Sequence, residues 1–335
     1  MNREIKASIA TYDRHLSHYY WAFRHHWGDS AKKVCENIFN IIEAGNSRKK
    51  LQRRDHQNLD MKTEKITSQI QLAWYHEMAL ISHPDIDDNF YEAPFTQLGK
   101  KTLIHKQRQH FVGWRVNQAY YALYSAASAT LRCFKTDEFA HAQMIKEFNF
   151  NCLKEFSPTL FVYPFSVYFS RFRSNDYEFH NTQLPKLINP NSDINCKTDD
   201  FKSHNCFDGI KKALSHAYKY QKGLIDQKII KRKTEPDREF SFLSYMRMMR
   251  ERLTYSAVKN LVELGDHSPN VPVFFDIALV NLTCFFLFCC EVFLMYFLGP
   301  TEMSTIFQEY KENIKKINTN IHCIPLEIRA GLWRN

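Results

Sequence analysis

The chain has 335 residues, 44% hydrophobic and 15% aromatic, enough apolar content for a sizeable core and too much for a disordered protein. Only 9 Gly and 11 Pro are present, too few for a turn-rich sandwich or barrel, and the absence of G-x-x-x-x-G-K-[ST] and G-x-G-x-x-G excludes the common nucleotide-hydrolysing classes. A formal charge of +9 suits an anionic partner, and nine cysteines without a C-x-x-C pair read as reduced thiols of a cytoplasmic protein, not a disulfide framework or a zinc ribbon.

The opening MNREIKASIATYDRH has no apolar segment of signal-peptide type, so export is not expected. Ile9, Tyr12, Leu16, Tyr19, Phe23 and Trp27 then recur in steps of three or four and predict an amphipathic helix with an aromatic stripe. Its histidines (His15, His18, His25, His26) have no acid at the i,i+4 spacing of a helical zinc site, and Asp13 is poorly placed. No metal or other cofactor is expected. Gly28 ends this helix, and Asp29 or Ser30 caps a second one carrying Val34, Ile38, Ile41 and Ile42. From Gly45 to Asn58 the chain is polar and basic. Arg48, Arg53 and Arg54, with Lys49 and Lys50, make it a candidate phosphate-binding segment.

A third helix is expected from about Met61 to Ile81, stopped by Pro84 and the acidic DIDDNFYEAP segment. A fourth is expected from Thr102 to Cys133 and a fifth from Asp137 to Glu155. Residues 156–207 are first aromatic and Pro-interrupted, then polar, and read as an irregular insertion. Helical spacing returns at Asp208–Lys231, Arg238–Leu264, Val273–Leu298 and Thr301–Ile317. The expected fold is all-α: an N-terminal helical pair with a basic linker (1–58), a first bundle part (59–155), the insertion (156–207) and the remaining helices (208–335).

The run Ile277–Leu298 is long enough to cross a bilayer. It contains Asn281, Thr283 and Glu291, and a charge at mid-span costs on the order of 3 kcal/mol in lipid. Its flanks lack a Lys/Arg anchor, so a buried core helix is the favoured reading and a membrane partner the less favoured one. Buried, Glu291 requires a cation, and the arginines near position 250 are the expected source.

Within the fourth helix, Ala119, Ala122, Ala126, Ala127 and Ala129 interleave with Tyr120, Tyr121, Leu123 and Tyr124. Small residues on one face admit a close neighbour, so this helix is expected at the centre of the bundle. AYYALYSAASATL (Ala119–Leu131) resembles the signature helix of the HEPN superfamily, the higher-eukaryote and prokaryote nucleotide-binding helical domains. EFAHAQMIKEF (Glu138–Phe148) is similar to the segment that follows it there, with His141 at a candidate phosphate-orienting position. RMMRERLTYSAVKNL resembles the family's late helix, where Arg247 and Arg250 lie i,i+3 on one face as a candidate phosphate-binding row.

The resemblance covers about 61–155 and 238–298 and implies a HEPN-type bundle that binds RNA in a prokaryotic defence or toxin-type system. Catalytic members carry an Arg and a His separated by four to six residues. Arg173 and His180, in RSNDYEFH, are the one pair here with that spacing, which chance alone would supply. They would serve a metal-independent endoribonuclease. Ser125 and Ser128 stand where typical members have His and Arg, and Thr254-Tyr255 replaces Asp-Tyr. These departures favour a second reading, a non-catalytic helical protein that docks a homodimer mate or a partner protein of a defence system. A third reading is a single-span membrane effector using 277–298.

Overall fold

The computed structural model describes residues 3–44, 59–81, 112–135, 139–156, 160–171, 177–180, 199–227, 229, 239–253, 272–317 and 324–334. The fold is all-α. In chain order the helices are α1 (Arg3–Trp27), α2 (Ala31–Ala44), α3 (Leu59–Ile81), α4 (Val112–Arg132), α5 (His141–Phe148), α6 (Asp199–Asp226), α7 (Phe242–Glu251), α8 (Pro272–Leu298), α9 (Pro300–Ile317) and α10 (Ile324–Arg334). α5 runs on through a π-helical turn (Asn149–Leu153) into a last turn (Lys154–Phe156).

The punctuation follows the sequence where side chains or glycine dictate it. Gly28 ends α1 with φ of 146°, a conformation that L side chains rarely adopt. Ser30, not Asp29, caps α2, its Oγ accepting the Lys33 N–H at 3.3 Å. The expectations fail where apolar spacing carries no information. The insertion contains β1 (Tyr168–Arg171) and β2 (Tyr177–His180), and β3 (Glu239–Phe240) completes an antiparallel sheet in the order β2-β1-β3. Helix α6 starts at Asp199 within the polar stretch expected to be loop. Helix α10 has no counterpart among the expected elements.

The chain divides into two compact units that alternate along the sequence. The first comprises Met1–His26, Phe95–Tyr120 and Tyr163–Leu282; the second comprises Trp27–Pro94, Tyr121–Val162 and Thr283–Asn335.

In the first unit the aromatic stripe of α1 is core: Tyr12, Leu16, Tyr19 and Phe23 are buried. Tyr19 packs on Phe242 with ring centroids 4.8 Å apart, Phe23 on Phe165 at 4.9 Å, and Phe165 on Phe242 at 5.0 Å. Arg115 and Asp276 form a buried ion pair at 3.1 Å. A polar cluster lies beside the stripe. His15 Nδ1 shares a 3.2 Å hydrogen bond with the Tyr245 hydroxyl, His216 packs on both Tyr12 and His15, and Arg252 donates to the Tyr12 hydroxyl at 3.0 Å.

In the second unit α8 supplies the centre. Phe286 packs on Phe148 and Phe161, and Phe293 on Phe134, Phe156 and Phe161. Phe275–Leu298 is the one stretch among the described residues long and apolar enough to cross a membrane, and its 18-residue apolar window, of mean hydropathy 2.3, is wholly buried within the protein. The alanines of α4, Ala119, Ala122, Ala126, Ala127 and Ala129, are all buried. The seven described cysteines are free and buried. Burial pushes the Cys206 thiol up to about 11 and the Cys289 thiol up to about 12, so these sulfurs act as apolar packing groups.

Glu291, at 0% exposure, is met by Arg329 of α10 and not by the arginines near position 250. Arg329 Nε and Nη2 donate to its two oxygens at 2.9 and 2.7 Å. Nη1 and Nη2 also donate to the two oxygens of Glu77, on α3, at 2.6 and 2.7 Å. Nη1 reaches Cys284 Sγ at 3.3 Å, and Trp74 Nε1 donates to Glu291 Oε1 at 2.8 Å. All five guanidinium N–H groups are thereby used. Burial alone would lower the Arg329 pKa, but Glu291 and Glu77 together drive it well above its ordinary value.

Two measurements check this packing. Arg329→Ala strands two buried carboxylates and is expected to cost ~3–5 kcal/mol in urea unfolding. For the first unit, burial, then His216, His18, Arg14 and Lys212, push His15 down to about 4. The folded state therefore binds fewer protons than the unfolded one between ~6.5 and about 4. His15 thus contributes stability above ~6.5 that is lost as pH falls, up to roughly 3 kcal/mol. Asp13, raised to about 6 by burial, acts in the opposite direction, losing stability as pH rises towards 6. His15→Asn is expected to flatten the acid limb of a stability–pH curve, and an unchanged limb contradicts the assignment.

Candidate functional site

A cavity of about 420 Å³ opens within the second unit, lined from α3, the C-terminal half of α4, the segment after it and α5. Helix α4 contributes Tyr121, Tyr124, Ser125, Ser128, Leu131 and Arg132. The spacing 121, 124, 125, 128, 132 is one face of a helix. Helix α3 contributes Gln69, Leu72 and His76, while its other face, Ile66, Ile70, Ala73, Trp74 and Glu77, is buried. Because Glu77 is anchored by Arg329, the rotation of α3 is fixed and the neighbouring His76 is held towards the cavity. Lys135, Phe139, His141 and Met144 complete the lining.

Four rings make a continuous ladder. His76 stacks on Tyr121 with centroids 5.4 Å apart and planes inclined by 26°. Tyr121 meets His141 edge-on at 5.9 Å, and His141 stacks on Tyr124 at 4.2 Å and 23°. Such faces accept a planar base without regard to its identity. Ser125 and Ser128 present buried hydroxyls beside them.

Two cations line the same space, in different states. Lys135 is paired with Glu147, which also accepts hydrogen bonds from Gln143 and Asn151. The Lys135 ammonium, by that hydrogen bond, holds the Glu147 carboxyl below its ordinary range. Arg132, by contrast, has Nε and Nη1 buried with no hydrogen-bond partner. Burial raises the Tyr124 hydroxyl pKa, and Arg132 counters that rise, so the guanidinium field reaches the stacking ring. Unmet N–H groups on a cation beside two hydroxyls are suited to a phosphate or carboxylate.

His141, marked out by the HEPN resemblance, lies in this cavity together with Ser125 and Ser128. The His and Arg expected at 125 and 128 are absent from α4 at those positions, but an imidazole and a guanidinium reach the same space from His141 and Arg132. Sequence reasoning missed Arg132, His76 and Lys135. The available signal was the i+4 and i+7 spacing of Arg132 from Ser128 and Ser125. Arg247 and Arg250 belong to the first unit. Arg247 donates to Glu251 at 2.8 Å, and Arg250 lies over the Tyr120 ring at 5.6 Å, so both are engaged within the protein. His180 is the last residue of β2, paired with Tyr168. Arg173, Arg48, Arg53 and Arg54 lie outside the described residues. Among the described residues no three His, Cys, Asp or Glu side chains are grouped to hold a metal ion.

Compared with family models, curated proteins and solved structures, the chain matches none. The HEPN resemblance therefore rests on the residues quoted for it.

A guanidinium with unmet donors should be dispensable for folding. Arg132→Ala is expected to change unfolding free energy by less than ~1 kcal/mol, in contrast to Arg329→Ala. A loss as large as that of Arg329→Ala would make Arg132 a structural residue.

Proposed function

We propose that the chain is a HEPN-like RNA-binding protein of a prokaryotic defence or toxin-type system, working in the cytoplasm, and that one nucleotide of a single strand enters the second-unit cavity. The observation that carries this reading is the junction of the His/Tyr ladder with the unmet N–H groups of Arg132. The base stacks on His141 and Tyr124. The phosphate is held by Arg132, with Ser125, Ser128 and Lys135 beside it. A volume near 420 Å³ suits one nucleotide and excludes a duplex.

Cleavage, in this reading, needs no metal. A neutral imidazole removes the 2′-hydroxyl proton, and the 2′-oxygen bonds to phosphorus as the P–O5′ bond breaks, leaving a 2′,3′-cyclic phosphate. The imidazolium returns the proton to the leaving 5′-oxygen, and a guanidinium steadies the charge that grows on the phosphate. Arg173 with His180 is the pair offered by spacing; Arg132 with His141 is the pair offered by the cavity. A second reading, RNA binding or partner docking without cleavage, is favoured by Ser125 and Ser128, which put hydroxyls where catalytic relatives are expected to carry His and Arg.

The test is titration of a fluorescent oligouridylate in EDTA at fixed salt, followed by gel analysis of the same samples. Arg132→Met and Tyr124→Ala are each expected to weaken binding by roughly tenfold or more. Wild-type affinity in both variants would rule out the cavity as the RNA site. Loss of cleavage in His180→Ala or in His141→Ala identifies the catalytic pair; wild-type RNA left intact supports binding without catalysis.

A further inference from the structure

The first unit carries a second concentration of charge that the cavity reading does not use. Along α1, Arg14 and His18 are one turn apart; along α6, Lys212, His216 and Lys219 follow at i, i+4 and i+7. Each set therefore occupies one helix face. The two faces meet at Gly209. A Cβ there would lie 2.1 Å from the His18 ring, so only glycine admits the imidazole against the α6 backbone.

Arg14 and Lys212 both act on His15 and His18, and Lys219 acts on His216. Arg14, Lys212 and Lys219 are exposed, and among the described residues none has an ion-pair partner. The nearby acids are otherwise occupied: Asp208 pairs with Lys211 at 3.3 Å and Glu251 with Arg247 at 2.8 Å. From α7, Tyr245 faces His15, and Arg252, the residue that follows α7, acts on His216 while donating to Tyr12. On α1 itself Asp13 is the one acid of the cluster, with Oδ1 buried and unpartnered.

We propose that the α1–α6 seam, centred on Arg14, His18 and Lys212, is a proton-linked binding site for the phosphate groups of a single-stranded RNA backbone. Like charges brought together repel, and an anion seated among them relieves that repulsion. The same anion cancels the field that helps to keep His18 neutral, burial being the larger cause of its lowered pKa, then Arg14 and Lys212. Binding of phosphate therefore takes up a proton, and by linkage affinity rises as pH falls towards and below the ordinary histidine range of ~6.5. The site is separate from the cavity, and its assignment to RNA rests on the RNA-binding reading above.

The test is a titration of oligouridylate at about pH 8 and about pH 6, at fixed ionic strength in EDTA, repeated with inorganic tripolyphosphate as competitor. The wild type is expected to bind RNA ~3–10-fold more tightly at the lower pH, a gain within the tenfold per unit that one linked proton allows. Arg14→Glu/Lys212→Glu is expected to lose roughly tenfold or more of the affinity together with the pH dependence. Lys212→Gln, a milder change at an exposed position, should lose part of both. Tripolyphosphate is expected to displace RNA only in large excess. Competition at equal concentration would make free phosphate the ligand and overturn the RNA assignment. pH-independent binding, or wild-type affinity in the double variant, overturns the site. Arg132→Met separates the two readings: if the seam holds, that variant keeps the pH dependence whatever becomes of its overall affinity.

Discussion

A guanidinium with no solvent exposure, held between two buried carboxylates, is the interaction on which the second unit depends. Burying an ion is expensive, and only complete pairing offsets the cost. Arg329 achieves it by placing each of its N–H groups, four on Glu77 and Glu291 and the fifth on Cys284. The consequence is geometric. Helix α10 is locked to α3 and to the second-unit part of α8, and the fixed rotation of α3 turns His76 to the cavity while Trp74 and Glu77 face the core. Ring packing reinforces the arrangement: Trp74 meets Phe307 and Tyr310 of α9, and Phe307 meets Trp333 of α10.

Arg132 is the counterpart of Arg329 in the same unit. One guanidinium has every donor placed and is inaccessible; the other has two nitrogens buried without partners and lines an open cavity. Proteins rarely leave buried donors unmet without a reason. A saturated arginine stabilises a fold, whereas Arg132 leaves two donors unmet beside the stacked rings. That difference in hydrogen bonding, more than the net charge, distinguishes the two arginines of this unit.

Much of the helical framework is legible in the sequence because steps of three and four survive wherever a helix has one buried side. The stripe of α1 and the buried alanines of α4 are examples. The burial of Ile277–Leu298 and the need of Glu291 for a cation were legible too, since a carboxylate surrounded by phenylalanines is stable only when paired. The identity of that cation was not. Arg329 lies 38 residues beyond Glu291, on a short helix with little periodicity. The small sheet escaped because two of its strands are four residues long and the third only two, too short for alternation to register. In the cavity, His141 was reached through the resemblance, and the serines were noted as departures. His76, Arg132 and Lys135 were missed because α3, α4 and the segment after it had to be folded together before their side chains faced one space.

The proposed seat of an RNA base is the His141–Tyr124 stack. Photocrosslinking with an oligonucleotide carrying 5-iodouridine, followed by mass spectrometry of the joined peptide, reads the stacked residue directly. Covalent joining at Tyr124, Tyr121 or His141, suppressed by unlabelled oligouridylate, is the predicted outcome. Efficient joining confined to peptides outside the cavity would contradict it.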